Sequence, residues 1–349
     1  MKQGFLCNIL LVCSSLLSAC GTAASPRSTA GTPAALQPTI ASTSSPEPTV
    51  AGPTPTLAPH VLAQWKISNP SFIAIAFGSV WIPDHYGRRI TRIDPTSNKI
   101  VAVIQGTSSH PESALEIGDQ LWITGQMSDT MFIDPKTNTP SSDRLDGSHL
   151  YMAYGFDSVW LTTRENKLER LDPATKKSLA LIPLEDGVSD CMNSVFVPFA
   201  TTGSVWVDEC DKTELIKVDP ATNSVVSKTL YADLIDEAMA QTTVPAGKGN
   251  DFIWVSLPKG LLRISPQTGR GLTFLPLDPF QAGEGFIAVT DEAVWVAGDG
   301  QINRVDVATN TIDTTYKTQP GRLKLAIGFG SIWIRNFDLH LVQRLDLAP

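Results

Sequence analysis

The sequence predicts an all-β fold, a seven-bladed β-propeller of four-stranded antiparallel blades, from three observations. Tryptophan recurs at Trp81, Trp122, Trp160, Trp206, Trp254, Trp295 and Trp333, spaced by 41, 38, 46, 48, 41 and 38 residues, in phrases such as Ser79-Val-Trp-Ile82. A second phrase follows each: Arg92-Ile-Asp-Pro95, Phe132-Ile-Asp-Pro135, Arg170-Leu-Asp-Pro173, Lys217-Val-Asp-Pro220, Arg263-Ile-Ser-Pro266, Arg304-Val-Asp-Val307 and Arg344-Leu-Asp-Leu347. Around both phrases, short apolar runs alternate with turn signals. Repeats in register at this period are the signature of a radial array, and four strands per copy describe a propeller blade.

The elements follow in order within the first copy. Residues 72–77 read as a strand ending at the hairpin signal Gly78-Ser79, and 80–82 as the second strand. Residues 89–93 are the third strand. Asp94-Pro-Thr-Ser-Asn98 is a turn with Asp first and Pro second, as type I turns prefer, and 99–105 is the fourth strand. The tryptophan fills the gap between adjacent blades. The Asp caps its turn, and the Arg two residues earlier shares its strand face.

The last copy stops after Arg344-Leu-Asp346, short of a fourth strand, while the first has a spare one, Val61-Leu-Ala-Gln-Trp-Lys-Ile67. Residues 61–68 are therefore expected to complete the last blade and close the ring, which removes exposed sheet edges. The longest between-blade insertion, 231–249, carries the short helical pattern 233–241 with Asp233 at an N-cap-like place. It reads either as a lid or as an ornament on a blade edge.

Composition sets limits. With 349 residues, 42% hydrophobic, 18% charged, 25 Gly and 25 Pro, the chain is not a collagen, a coiled coil or a wholly disordered protein. A net charge of −8 leaves no basic stripe for nucleic acid, and a monomer is expected. The run 5–17 after Lys2 is too short for a membrane span and has the proportions of a signal-peptide core. Its end, Leu17-Ser18-Ala19-Cys20-Gly21, resembles a bacterial lipobox. That resemblance implies that residues 1–19 are removed and that Cys20 carries acyl chains, which anchor the protein to the membrane on the extracytoplasmic side, at the cell surface or in the periplasm.

Residues 20–60 then form a lipidated, disordered Ser/Thr/Pro-rich tether, with eight prolines from 21 to 60 and only Arg27 and Glu47 charged. It spans roughly 35 Å as a coil and about 120 Å extended. The propeller occupies 61–349. Cys191 and Cys210 remain as an even pair in an oxidising compartment, where a disulfide is the default and two buried free thiols the alternative. They enter and leave one hairpin of the fourth blade at the same face, which brings them together.

The copies resemble the YVTN-type repeats of bacterial surface propellers, most closely at Val294-Trp-Val-Ala-Gly-Asp-Gly-Gln-Ile-Asn-Arg-Val-Asp-Val-Ala-Thr-Asn310, and more loosely the streptogramin B lyase and NHL groups. The resemblance covers about 61–349 and implies the propeller fold. The lyase members would imply a catalytic histidine and a bound magnesium ion near the channel. Their Gly-Pro-Asp-Gly and Phe-Thr-Glu phrases are absent from this chain, and no residue here matches the catalytic histidine.

No metalloprotease, P-loop, nucleophile-elbow, dinucleotide or EF-hand motif occurs. Topology says where a site would lie. One face of a propeller collects the loops between second and third strands and the loops between blades. On that face the repeat alignment places Asp84, Tyr86, Arg335 and Phe337 in the loops, and His85, His110, Glu112, His149, Arg164, Asn193, Glu284, Arg322 and His340 as candidate ligand-binding residues. Four of five histidines fall there, which fits a general base or metal site, or the ordinary polarity of loops. The expected function is binding of a small ligand or a protein partner on the channel face without catalysis. The alternatives are a lyase or hydrolase with a histidine–carboxylate site there, and an assembly scaffold. The sequence names neither ligand nor cofactor.

Overall fold

The computed structural model describes residues 55–107, 110–125, 128–184, 196–209, 214–241, 246–257, 260–277, 287–298 and 300–347. Its strands form seven sheets that follow one another along the chain. The first blade comprises Ala74–Ala76, Ser79–Pro83, Arg89–Asp94 and Lys99–Gln105. The remaining blades repeat this meander, and Leu323–Gly328 of the seventh touches Ala74–Ala76 of the first. First strands thus ring a central channel and fourth strands face outward.

Closure occurs as the sequence predicts. Val61–Lys66 pairs antiparallel with Leu341–Asp346 and supplies the outer strand of the seventh blade. Trp65 on it stacks on Trp333, with ring centroids 5.6 Å apart. The fold also takes in residues before 61. Thr56–Leu57 adds in parallel to Thr311–Lys317 and makes the sixth blade five-stranded. Leu57 is held by packing against the cluster of Trp295 and Tyr316, and Pro55 accepts a hydrogen bond from the Thr315 amide at 3.0 Å. The fifth blade has three described strands, preceded by a 3₁₀ turn at Gly249–Asp251 in the approach to its first described strand.

The core is a set of seams between blades. Trp81 lies with Leu121 and Ile123 of the second blade, and Trp206 with Ile253 and Val255 of the fifth. Burying each indole is worth roughly 3–5 kcal/mol of transfer free energy.

A polar clamp crosses the same seams on the face opposite the candidate site. In the turns that open with Asp94, Asp134, Asp219 and Asp306, the carboxylate accepts from turn amides or hydroxyls. The Asn at the end of each (Asn98, Asn138, Asn223 and Asn310) takes positive φ. Arg92 lies 4.6 Å above Trp81 and donates to the Pro135 carbonyl and Asn138 of the next blade. Arg170 reaches Pro220 and Asn223, Arg263 reaches Val307 and Asn310, and Arg344 closes the ring on Pro95 and Asn98. Two deviations explain themselves. Where the second blade has Phe132 in the Arg place, the third has Lys176 in the Asn place, and the ammonium sits 3.7 Å from the Phe132 ring centroid. Arg304 pairs with Asp313 of its own blade, because the seventh blade has no turn between third and fourth strands to receive it.

The insertion forms the helix Tyr231–Met239. Its cap position is Leu230, and Asp233 lies in the first turn, which corrects the expected cap. Tyr231, Leu234 and Ala238 bury into the seam of the fourth and fifth blades. Gly271 is held against the Leu234 carbonyl so closely that a Cβ there would lie 1.8 Å from it. The helix is a wedge at the blade edge, not a lid.

Candidate functional site

At the junction of blades seven, one and two, the two kinds of loop on the channel face meet. Asp84 builds the frame. Its buried carboxylate accepts from the amides of Tyr86 at 3.1 Å and Gly87 at 2.7 Å, and from the Arg89 guanidinium at 3.1 Å. A Cβ at Gly87 would lie 2.3 Å from that carboxylate, so glycine is required. The frame presents His85 and Tyr86. The His85 ring lies edge-on to Tyr86 at 4.6 Å, His110 at 4.7 Å and Phe337 at 6.1 Å, and Tyr86 and His110 are 5.3 Å apart. The backbones are tied as well: the His110 amide donates to the His85 carbonyl at 2.9 Å, and the His85 amide to Asn69 at 2.8 Å.

Cations stand behind these rings. Arg335 is buried, donates to the carbonyls of Ser71 and Arg322 at 2.9 Å each, and lies 5.6 Å from the Phe337 ring. Arg322 covers the same ring at 4.2 Å and pairs with Asp338 at 2.6 Å. Burial, together with His110, Lys324 and Arg335 nearby, lowers the His85 pKa to about 4. His85 is therefore neutral at pH 7 and able to donate from one nitrogen and accept at the other. Nδ1 of His110 is buried without a hydrogen-bond partner among the described residues. The mouth thus offers ring edges and an unsatisfied polar atom, which suits binding.

The other expected residues divide. His340 is exposed beside this cluster, and its Nδ1 accepts from the Asn69 amide at 3.1 Å, so it braces the turn under His85. Arg322 belongs to the cluster through Phe337. Glu112 accepts from the Tyr151 hydroxyl at 3.3 Å on the adjoining first strands. Arg164 is exposed on the third blade. His149 is a correction. It is 2% exposed, bonded through Nδ1 to Thr130 at 3.0 Å and through Nε2 to Glu169 at 3.1 Å. It ties the second blade to the third and presents no ring to the channel mouth. The His149 bond holds the Glu169 carboxyl below its usual range. Asn193, Glu284, Cys191, Cys210 and Cys20 lie outside the described residues.

Sequence reasoning missed Asn69, Ser71 and Lys324. Lys324 could have been found, since strand alternation fixes the side of the first strand it occupies. Asn69 and Ser71 lie in an irregular stretch with no periodicity to read. Among the described residues no group of three or more His, Cys, Asp or Glu side chains could hold a metal ion.

No protein-family description matches the sequence, and no curated protein does. Solved structures match the fold. The Cps50 (Swd1) β-propeller domain of Myceliophteria thermophila superposes with a TM-score of 0.65 at 8% identity, covering 83% of this chain and 100% of that one. The Pan2 WD40 domain of Neurospora crassa gives 0.59 at 12%, covering 83% and 98%. Hydrazine synthase of Kuenenia stuttgartiensis gives 0.59 at 12%, covering 82% and 98%. At these identities the likeness is one of fold.

Proposed function

We propose that this protein is a lipid-anchored, extracytoplasmic propeller that binds a small ligand at the channel mouth between blades seven, one and two. The convergence of His85, Tyr86, His110 and Phe337 from three blades carries the reading. The role is binding without catalysis. The Asp84 carboxylate next to His85 is spent on the loop frame, and the buried histidine–carboxylate pair, His149 with Glu169, lies within the third blade, tied by His149 to Thr130 of the second. The lipobox resemblance supports acylation of Cys20, and compartment supports a Cys191–Cys210 disulfide.

The test is thermal shift on the mature chain with small aromatic carboxylates, inorganic phosphate and divalent metals as probes. A stabilising probe is expected to lose at least tenfold in affinity in Phe337→Ala and His85→Ala. A probe that stabilises both variants as well as the parent overturns the site. For the anchor, Cys20→Ser is expected to leave the membrane fraction, and unchanged partition would reject it.

A further inference from the structure

The rings at the channel mouth stand beside a pair of cations whose placement follows from strand register. In the seventh blade Leu323–Gly328 pairs antiparallel with Ser331–Asn336, which sets Lys324 directly opposite Arg335. Residues directly opposite in such a pair project from the same side of the sheet. Arg335 shows which side, since its guanidinium reaches the Ser71 carbonyl, at the entry to the first blade, at 2.9 Å. Lys324 therefore also stands on the side of the seventh blade turned to the first. Like charges opposite each other in a strand pair cost stability, and an anion bound near both reverses the sign. Both cations act on His85. Burial first, then His110, Lys324 and Arg335, lower its pKa, while Asp84 works the other way.

The excess of positive charge survives a count that includes the acids. The cations of this junction are Lys66, Arg88, Arg89, Arg322, Lys324 and Arg335. Lys66 and Arg88 are tied to the mouth loops through the carbonyls of Leu339 and Thr107. The acids are Asp84 and Asp338 in the loops, with Glu112 and Asp129 on the second blade. Asp84 is engaged by Arg89, and Asp338 by Arg322 with Arg335 also acting on it. Glu112 takes the Tyr151 hydroxyl, toward the third blade. Six cations against four acids make the mouth positive in a chain whose net charge is −8, and such a mouth concentrates anions. Nδ1 of His110, buried without a partner among the described residues, adds a polar atom at the same place.

Rings alone suit any flat apolar group, and rings beside an excess of cations select one that carries negative charge. We propose that the ligand of this mouth is a small aromatic acid, its ring against His85, Tyr86 and Phe337 and its anionic group toward Lys324 and Arg335. This rests on the reading of the mouth as a binding site and names the class of its ligand.

The test is isothermal titration of the full chain with three probes that share one ring system: naphthoate, the neutral naphthamide and the cationic naphthylmethylamine. Naphthoate is expected to bind roughly tenfold more tightly than either of the others. Lys324→Gln is expected to lose that margin over naphthamide, and Lys324→Arg to keep it. Bound naphthoate is expected to raise the His85 pKa, read by NMR, by about half a unit or more, because an anion beside the ring favours the imidazolium. Phe337→Ala is expected to weaken all three probes. Naphthamide or naphthylmethylamine bound as tightly as naphthoate, and weakened by Phe337→Ala, overturns the acid and leaves the site standing. Naphthoate binding that both Phe337→Ala and His85→Ala leave intact overturns the site itself. Inorganic phosphate bound as tightly as naphthoate, and indifferent to Phe337→Ala, assigns the cations to a free inorganic anion and overturns the aromatic class. Failure of naphthoate to bind overturns the proposal as well.

Discussion

His85 shows how a residue is set by its neighbours more than by its type. Its pKa of about 4 in the fold lies below the ordinary 6.5, so the unfolded chain binds the extra proton between those values. Stability from this group is full above pH 6.5 and is lost as the pH falls toward 4. With screening at a half-buried site the loss is about 1–2 kcal/mol. The mutant His85→Gln should lose less Tm between pH 7 and 4.5 than the parent, read by calorimetry. Equal losses would place the sensitivity elsewhere. At Arg263 the same principle runs through sandwiching. The guanidinium lies between Phe252 and Trp254, 3.6 and 5.1 Å from the two ring centroids, and burial lowers its pKa to about 10, still charged at neutral pH.

At the scale of elements, the clamp between blades makes a coupled prediction. Phe132→Arg alone sets a guanidinium against Lys176, and Lys176→Asn alone strips the cation from the Phe132 ring. Each single change should cost about 1 kcal/mol, while the double change restores the pattern of Arg92 with Asn138 and should cost less than the sum. Additive losses in denaturant melts would show the two positions to be independent. This pair also marks the limit of sequence reading. The blades, their order and the closing strand were legible because tryptophan punctuates every copy and Asp-Pro four of the seven. The clamp was not, since nothing in one copy says that its Arg ends in the next. His149 was misplaced for the same reason: a loop position in the repeat says nothing of Thr130 and Glu169 on the seam beside it. Asp233 missed its cap by three residues, within the usual uncertainty of a helix end.

The whole molecule depends on joining its two ends. Deleting 61–66 removes the partner of Leu341–Asp346, uncovers Trp333 and leaves a paired strand as an open edge. The truncated chain is expected to aggregate or to melt at least 10 °C lower, and melting like the parent would show the ring to be indifferent to its seam. The Thr56–Leu57 strand fastens the approach to that seam on the sixth blade.

That seam has a consequence in time. The strand with Val61, Leu62 and Trp65 finds its partner only when Leu341–Asp346, some 275 residues further along the chain, is in place. Contacts between such distant positions are the slowest to form. Until then the strand at 61–66 has no partner, and the earlier blades must assemble as an open arc. Folding therefore finishes with a single long-range docking event, and a chain cut short near its C-terminus stays an arc with two sticky rims.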